Sequence, residues 1–361
     1  MAKNVRIGIL GGGGILGAHA PGFMKLRDRC AVVAVAEPNA ARHARVRELL
    51  GDDVRLYGDY REVLALDDVD AVDILLPHSL HMPAAIAAAE AGKPVLTEKV
   101  MARNVYECDR MIEACERAGV SLTVCHDRRY HGHWMALKEV VDSGCLGEVF
   151  YWKLDHNQDV LLPEGHWIRS HDALGGGAIM SCLTHQIDAL RWYGGEVASV
   201  TAMTKVLPER MEGETLGVIA ARMASGALAQ LSINWFTRPR SPEHALWYEM
   251  VQACGTRGEA YTMSGRGTFL RLHDDSDADS VARWGREALK GFVPVPSGRW
   301  GGHERCIAEW VKSLRGEEAQ ITTGGRAVRG TVEVAEAAYL SEHGGRTVTL
   351  PITPVPRGEA R

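Results

Sequence analysis

Residues 5–17 read VRIGILGGGGILG, a short apolar run that leads directly into four consecutive glycines. The apolar run is typical of a buried strand, and a glycine turn between a strand and a helix is typical of a dinucleotide site. Glycine allows the tight turn and a close approach of the backbone to pyrophosphate, and the amides that begin the helix favour negative charge. The predicted cofactor-binding loop contains Gly11, Gly13, Gly14, Ile15 and Leu16.

The glycine loop can be aligned with the dinucleotide-binding pattern in two registers, and an acid further along the chain indicates which dinucleotide it binds. If Gly11 is the first glycine of the pattern, Leu16 takes the third position; if Gly12 is the first, Gly17 does. Glu37 ends a second apolar run and stands 26 residues after Gly11. A carboxylate there can accept hydrogen bonds from ribose hydroxyls and repel a 2′-phosphate. This favours NAD over NADP, whereas the alternative is an ordinary turn and a solvated acid.

Strand-like and helix-like segments continue to alternate as far as residue 125. A capping box, Asp59 with Glu62, precedes one of the helices. Such alternation predicts a doubly wound parallel sheet covered by helices, with ligands beyond the carboxyl ends of its strands. We therefore predict a Rossmann-type dinucleotide-binding domain over residues 1–125.

The pattern changes in residues 126–361, for which we predict a substrate-binding and oligomerisation domain of the α+β class. Period-two segments at 218–223 and 227–234 flank Gly226 and predict a hairpin. Residues 265–299 are rich in glycine, charge and proline, which predicts a long loop. Two helices are expected near the end, where they could pack against the first domain.

Composition excludes several classes of protein. The 361 residues carry a net charge of -5, so a basic surface for nucleic acid is not expected. No apolar stretch is long enough to cross a membrane, and the first ten residues carry no secretory signal pattern. The eight cysteines form no C-x-x-C pair, which is typical of reduced thiols. We expect a cytoplasmic protein with no membrane or nucleic-acid partner.

Motifs spread along the chain resemble those of the Gfo/Idh/MocA family of oxidoreductases. The matching segments are 11–19 (GGGGILGAH), 76–81 (LPHSLH), 91–99 (AGKPVLTEK), 128–130 (RRY), 167–169 (WIR), 175–177 (GGG), 185–188 (HQID) and 337–341 (AAYLS). The resemblance implies a C-terminal domain with a large, open, mostly antiparallel sheet. It also implies a homodimer or homotetramer formed through that sheet.

The resemblance also implies the residues that carry the chemistry. Oxidation of an alcohol needs a base for the hydroxyl proton and a positive group beside the developing alkoxide. By motif, Lys99 is that positive group and His185 is the acid/base. The cofactor set then extends to Pro77, His78, His81, Glu98 and Lys99. The implied substrate-binding set is Arg128, Tyr130, His156, Trp167, Arg169, Ser181 and Asp188. The predicted activity is NAD-dependent hydride transfer at a hydroxyl carbon of a sugar, polyol or sugar acid.

Two departures from the family pattern concern this site. Ser181 stands where the family usually has an aspartate, four residues before His185, and Val100 replaces the proline after Lys99. The spacing of Ser181, His185 and Asp188 predicts one polar helix face opposite an apolar one. Residues 126–185 hold seven of the fifteen histidines, but no spacing among them matches a metal site, so no metal is predicted.

Two alternatives to a freely exchanging dehydrogenase remain open at this point. One is an oxidoisomerase or redox-neutral sugar-modifying enzyme that keeps NAD bound through the cycle. The other is a non-catalytic NAD-binding sensor or repressor, which the presence of Lys99 and His185 disfavours.

Overall fold

The structure is a computed structural model that describes residues 4–236, 248–298 and 301–358. The described residues form two compact units. The first contains those of 1–130, 300–329 and 354–361, and the second those of 131–299 and 330–353. The first break thus follows Tyr130 rather than Cys125, and a segment near the C-terminus belongs to the first unit.

A six-stranded parallel sheet forms the centre of the first unit. Its strands are β1 (Val5–Leu10), β2 (Cys30–Ala36), β3 (Arg55–Tyr57), β4 (Ala71–Ile74), β5 (Val95–Glu98) and β6 (Leu122–Cys125). Their order is β3-β2-β1-β4-β5-β6, so the order reverses between β1 and β4. β4 and β5 are buried along their whole length because helices cover both faces of the sheet. This confirms the predicted doubly wound sheet, in which ligands bind at the reversal point.

A nine-stranded, mostly antiparallel sheet forms the second unit. Its strands are β7 (Val149–Asn157), β8 (Val197–Val206), β9 (Glu214–Met223), β10 (Leu228–Asn234), β11 (Tyr248–Gly255), β12 (Gly258–Met263), β13 (Gly267–Leu272), β14 (Val293–Val295) and β15 (Val348–Thr349). Only the central pair, β7 with β10, is parallel within the described part of this sheet. Residues along β9 alternate between buried and exposed, as expected when one face packs and the other is solvated.

Eleven helices accompany the two sheets in the described residues. They are α1 (Leu16–Met24), α2 (His43–Leu50), α3 (Tyr60–Leu64), α4 (His78–Glu90), α5 (Val105–Ala118), α6 (Gly132–Asp142), α7 (His171–Leu174), α8 (Thr184–Gly194), α9 (Ala278–Trp284), α10 (Gly302–Leu314) and α11 (Gly325–Gly344). None of these helices is long and apolar enough to cross a membrane. The predicted capping box at the start of α3 is confirmed, with Asp59 and Glu62 bonding each other's backbone amides.

Two local predictions had opposite outcomes in the second unit. The hairpin is confirmed, since β9 and β10 pair antiparallel around Gly226, whose φ is 95°. The long loop predicted over 265–299 is wrong for most of its length. Strand β13, helix α9 and edge strand β14 lie within it. β14 pairs with β13 despite its proline, because an edge strand can accommodate proline. Residue 299 lies outside the described residues.

Candidate active site

The glycine loop lies at the reversal point of the parallel sheet, and its two ends differ in packing. Gly11 has a φ of 113°, and a Cβ there would lie 2.5 Å from the carbonyl oxygen of Leu75. A Cβ on Gly12 would lie 2.9 Å from a methyl of Val46, whereas nothing within 4 Å would meet one on Gly14. The loop is therefore pressed against the sheet at its first half and open at its second half.

The open half of the loop leads into the first helix. Near Gly13 the nearest atom to an added Cβ is a guanidinium nitrogen of Arg42, at 3.9 Å. Ile15 is the partly exposed N-cap of α1, and Leu16 is fully buried, with its amide bonded to the carbonyl of Gly13. This packing favours the register in which Gly11 is the first glycine and Leu16 replaces the third.

Glu37 is not a solvated acid. It is 3% exposed, and its Oε2 accepts the amide of Gly12 at 3.1 Å while its Oε1 accepts the amide of Asn39 at 2.8 Å. Arg42 lies 3.4 Å from the same carboxylate. The alternative of an unconnected turn and acid is therefore wrong, since the carboxylate after β2 is bonded to the glycine loop itself.

Glu98 and Lys99 lie at the carboxyl end of β5. Glu98 is buried, and its Oε2 accepts the backbone amide of Lys99 at 3.1 Å. The peptide bond between Lys99 and Val100 is cis, although residue 100 is not proline. His81 connects this loop to the loop after β4, because its ring nitrogens lie 2.9 Å from the carbonyl oxygen of Val100 and 2.8 Å from that of Leu76. Burial lowers the pKa of His81.

A buried ionic network lies next to Glu98 and was missed by sequence reasoning. His19 of α1 places Nδ1 2.7 Å from Asp73 and Nε2 2.9 Å from Glu98. Burial disfavours charge on His19, but the carboxylate of Asp73 outweighs it and raises the pKa of His19 well above its usual value. Burial likewise opposes the charge on Glu98, yet hydrogen bonds from His19 and His303 hold its pKa well below its usual value. Residue 19 lies one helical turn after the apolar Leu16, so the two share a helix face, and this spacing could have predicted that His19 is buried.

Two stacked histidines form the corresponding cluster in the second unit. His185 of α8 and His156 of β7 have ring centroids 6.4 Å apart and planes inclined by 13°. Nδ1 of His156 lies 3.1 Å from the amide oxygen of Gln186, and its Nε2 contacts the amide oxygen of Gln158. The structure thus brings together two predicted histidines and adds two glutamines that the sequence reasoning did not select.

The segment before α8 is held by a buried acid and a tyrosine. The Tyr339 hydroxyl accepts the amide of Gly177 at 3.1 Å and donates to Glu214 at 2.9 Å, and Glu214 accepts the amide of Ile179 at 2.8 Å. A Cβ on Gly177 would lie 2.2 Å from the carbonyl oxygen of Glu214, so this position requires glycine. Burial raises the pKa of Glu214 to about 7. The GGG motif is therefore explained by the close approach of its backbone to the backbone at Glu214.

Ser181 lies outside the regular α-helix that carries His185 and Asp188. Ile179–Leu183 is a π-helical segment, which changes the angular spacing between Ser181 and the residues of α8. Residues 184–190 are all buried. Asp188 accepts a hydrogen bond from the Thr331 hydroxyl at 3.1 Å, so its carboxylate binds another helix of the same unit.

The other four predicted substrate residues differ in their burial and in their hydrogen-bond partners. Tyr130 is 3% exposed and its hydroxyl contacts Thr323 at 3.2 Å, so it packs inside the first unit, and burial raises its pKa to about 12. Arg128 pairs with Asp127 at 2.5 Å. Trp167 and Arg169 share one half-buried turn, in which the guanidinium of Arg169 contacts backbone carbonyls. Contact of Tyr130 and Arg169 with substrate stays a prediction.

The parallel sheet, the glycine loop at its reversal point and the acid bonded to that loop define a dinucleotide-binding protein with a second, mostly antiparallel unit. Residues 5–126 match the oxidoreductase family with an NAD-binding Rossmann fold, and residues 134–261 match the GFO/IDH/MocA C-terminal domain. The chain belongs to the Gfo/Idh/MocA family of oxidoreductases. Its cofactor is NAD, which confirms the prediction.

Relatives of known name agree with this assignment. The chain is 28% identical to the myo-inositol 2-dehydrogenase of Thermotoga maritima, over 75% of this chain and 79% of that protein. It is 25% identical to the D-apiose dehydrogenase of Paraburkholderia graminis, over 90% and 84%. The crystal structure of the WlbA dehydrogenase from Bordetella pertussis in complex with NADH and UDP-GlcNAcA superimposes with a TM-score of 0.83 at 25% identity, covering 97% of this chain and 99% of that one.

Proposed function

We propose that this chain is a dehydrogenase that transfers hydride between NAD and a hydroxyl carbon of a sugar, polyol or sugar acid. The observation that carries the proposal is the position of Lys99 at the carboxyl end of β5, where Glu98 holds its backbone amide. Relatives named for inositol and apiose oxidation support the substrate class. Glu37 supports NAD over NADP, since its buried carboxylate is held at the glycine loop.

The proposed roles follow from the chemistry of alcohol oxidation. Bound NAD supplies the hydride acceptor. The Lys99 ammonium stabilises the negative charge that develops on the substrate oxygen, and His185 takes the hydroxyl proton. His156, held by Gln186 at 3.1 Å, stacks near the His185 ring and orients it. Arg128, Trp167 and Ser181 remain proposed substrate contacts.

The test is a substrate screen with matched variants. Monosaccharides, polyols and sugar acids are supplied with NAD or NADP, and the absorbance of reduced nicotinamide is followed. On the best substrate, Lys99→Ala and His185→Ala should each lower kcat on the order of 100-fold or more. Lys205→Ala and His343→Ala change exposed residues of the same types and should leave kcat unchanged.

The outcomes separate this proposal from its alternatives. Full activity in both active-site variants would refute the assigned roles. Substrate conversion without accumulation of free NADH would replace the dehydrogenase with an enzyme that retains its cofactor. NAD binding without any turnover across the screen would favour a sensor.

We also propose that the second unit mediates formation of a homodimer or homotetramer. Its sheet presents exposed apolar side chains, among which Met203 is 74% exposed and pairs across strands with Val218, which is 50% exposed. Exposed apolar patches of this kind are typical of interfaces. Light scattering should give a multiple of the chain mass that falls in Val218→Lys, and a monomeric unaltered chain would refute the proposal.

The eight cysteines, none of which forms a disulfide in the described residues, support the proposed cytoplasmic location.

A further inference from the structure

Four side chains with metal-binding groups converge inside the first unit. They come from four separate elements: His19 of α1, Glu98 of β5, Cys125 of β6 and His303 of α10. One ligand atom from each lies within 4.8 Å of every other. Three of the four residues are buried, and His303 is the partly accessible one, with a side chain 24% exposed. All four ligands lie outside the histidine-rich stretch, residues 126–185, whose spacing predicted no metal.

The two histidines are oriented in the same way. Each directs Nε2 toward Oε1 of Glu98, at 2.9 Å from His19 and 3.4 Å from His303. Each also has an aspartate behind its Nδ1, with Asp73 at 2.7 Å from His19 and Asp127 at 3.6 Å from His303. The Asp73 carboxylate fixes the tautomer of His19 and directs its Nε2 inward, which is the usual surrounding of a metal-binding histidine. Asp127 is a nearby charge but is too far from His303 for a hydrogen bond.

We propose that His19, Glu98, Cys125 and His303 form a zinc site. Two imidazoles, a thiolate and a carboxylate are all ligands that zinc accepts in four-coordinate sites. The carboxylate and the thiolate together carry two negative charges, which match the charge of the ion. Four protein ligands leave no open position, so the ion would be structural and not catalytic. This proposal does not depend on the proposed hydride transfer.

Zinc binding requires Cys125 to lose its thiol proton. A hydrogen bond to Cys306 and burial raise the pKa of the Cys125 thiol in the metal-free chain. A coordinating metal ion removes the thiol proton outright. In the metal-free chain the competing arrangement is a proton on His19, shared between Asp73 and Glu98.

The location gives the ion a structural consequence. Oε1 of Glu98 would bind it, while Oε2 holds the backbone amide of Lys99 at 3.1 Å. His19 belongs to α1, which follows the glycine loop, and His303 belongs to α10, which packs on α1 through Ile307 and Gly22. One ion would thus connect the cofactor loop, the Lys99 loop and α10.

The test measures metal directly in the full chain. Metal content is determined by mass spectrometry after purification, after chelation and after addition of zinc. Cobalt then replaces zinc, because a cobalt–thiolate bond produces a charge-transfer absorption in the near ultraviolet. We expect one zinc ion per chain, a charge-transfer band that disappears in Cys125→Ser, and an affinity lowered at least about tenfold in His303→Ala.

Matched controls distinguish ligand loss from unfolding. Cys108→Ser removes another buried cysteine, and His343→Ala removes an exposed histidine; both should bind one ion with unchanged affinity. Circular dichroism checks each variant, and His303→Ala decides the matter if Cys125→Ser fails to fold. Absence of stoichiometric zinc before and after refilling would overturn the proposal. Unchanged binding in His303→Ala would also overturn it.

Discussion

The substitution Gly13→Ala is predicted to separate cofactor binding from stability. Gly13 is the loop glycine at which the protein itself has room, since the nearest atom to an added Cβ is 3.9 Å away. Its φ is not in the left-handed region, so alanine can adopt the same backbone conformation. The free protein should therefore tolerate the methyl group, with the free energy of unfolding changed by no more than about 0.5 kcal/mol.

The same methyl group should obstruct NAD. The second glycine of the pattern allows the backbone to approach pyrophosphate closely, and an added carbon keeps the two apart. Overpacking by one methyl group costs about 1–3 kcal/mol, which corresponds to a dissociation constant raised about 5- to 150-fold. Gly11→Ala should behave differently, because its Cβ would lie 2.5 Å from a backbone oxygen at a φ of 113°, so the fold itself is destabilised.

The assay combines urea unfolding with calorimetric titration of NAD. Gly14→Ala is the control for an added methyl group, since nothing within 4 Å would meet it in the free chain. The expected order of affinity is unaltered chain, Gly14→Ala, then Gly13→Ala. If Gly13→Ala binds NAD as tightly as the unaltered chain, the loop does not hold the pyrophosphate in the register that begins at Gly11. If Gly13→Ala unfolds as readily as Gly11→Ala, the packing argument is wrong.

Three further predictions concern buried acids. Glu37→Gln removes the charge that repels a 2′-phosphate, so the ratio of kcat/KM for NAD to that for NADP should fall at least about tenfold; an unchanged ratio would contradict the assigned role. Glu214 has a pKa raised from 4.5 to about 7, so the protonated carboxyl contributes up to about 3 kcal/mol to the free energy of unfolding at low pH. This contribution is lost as the pH rises from about 4.5 to about 7. Glu214→Gln should abolish that decline in urea-unfolding midpoints, and an unaltered pH profile would refute it. Asp73→Asn leaves His19 without its nearer carboxylate and should destabilise the chelator-treated chain by about 3–5 kcal/mol in urea unfolding; a loss below about 1 kcal/mol in that chain would show that the pair is not ionised.

Local patterns were enough to predict the features that depend on neighbouring residues. The glycine loop, the capping box at Asp59 and the hairpin at Gly226 are each encoded within a few residues, because backbone conformation and short-range hydrogen bonds determine them. The alternation of strands and helices then predicted the parallel sheet, since crossover connections allow few other arrangements. Strand β14 was missed because its proline and charged surroundings resemble a loop, and only pairing with β13 makes it a strand.

The sequence by itself determined the class of fold, the cofactor loop and the residues that match the family pattern. Only the tertiary structure decided which side chains meet: His19 with Glu98, 79 positions apart, and Tyr339 with Glu214, 125 positions apart. It also showed that Tyr130, a predicted substrate contact, is buried in the first unit. The physical reason is that burial and long-range hydrogen bonds depend on how elements pack, and no periodicity along the chain records which distant polar groups a fold will place together.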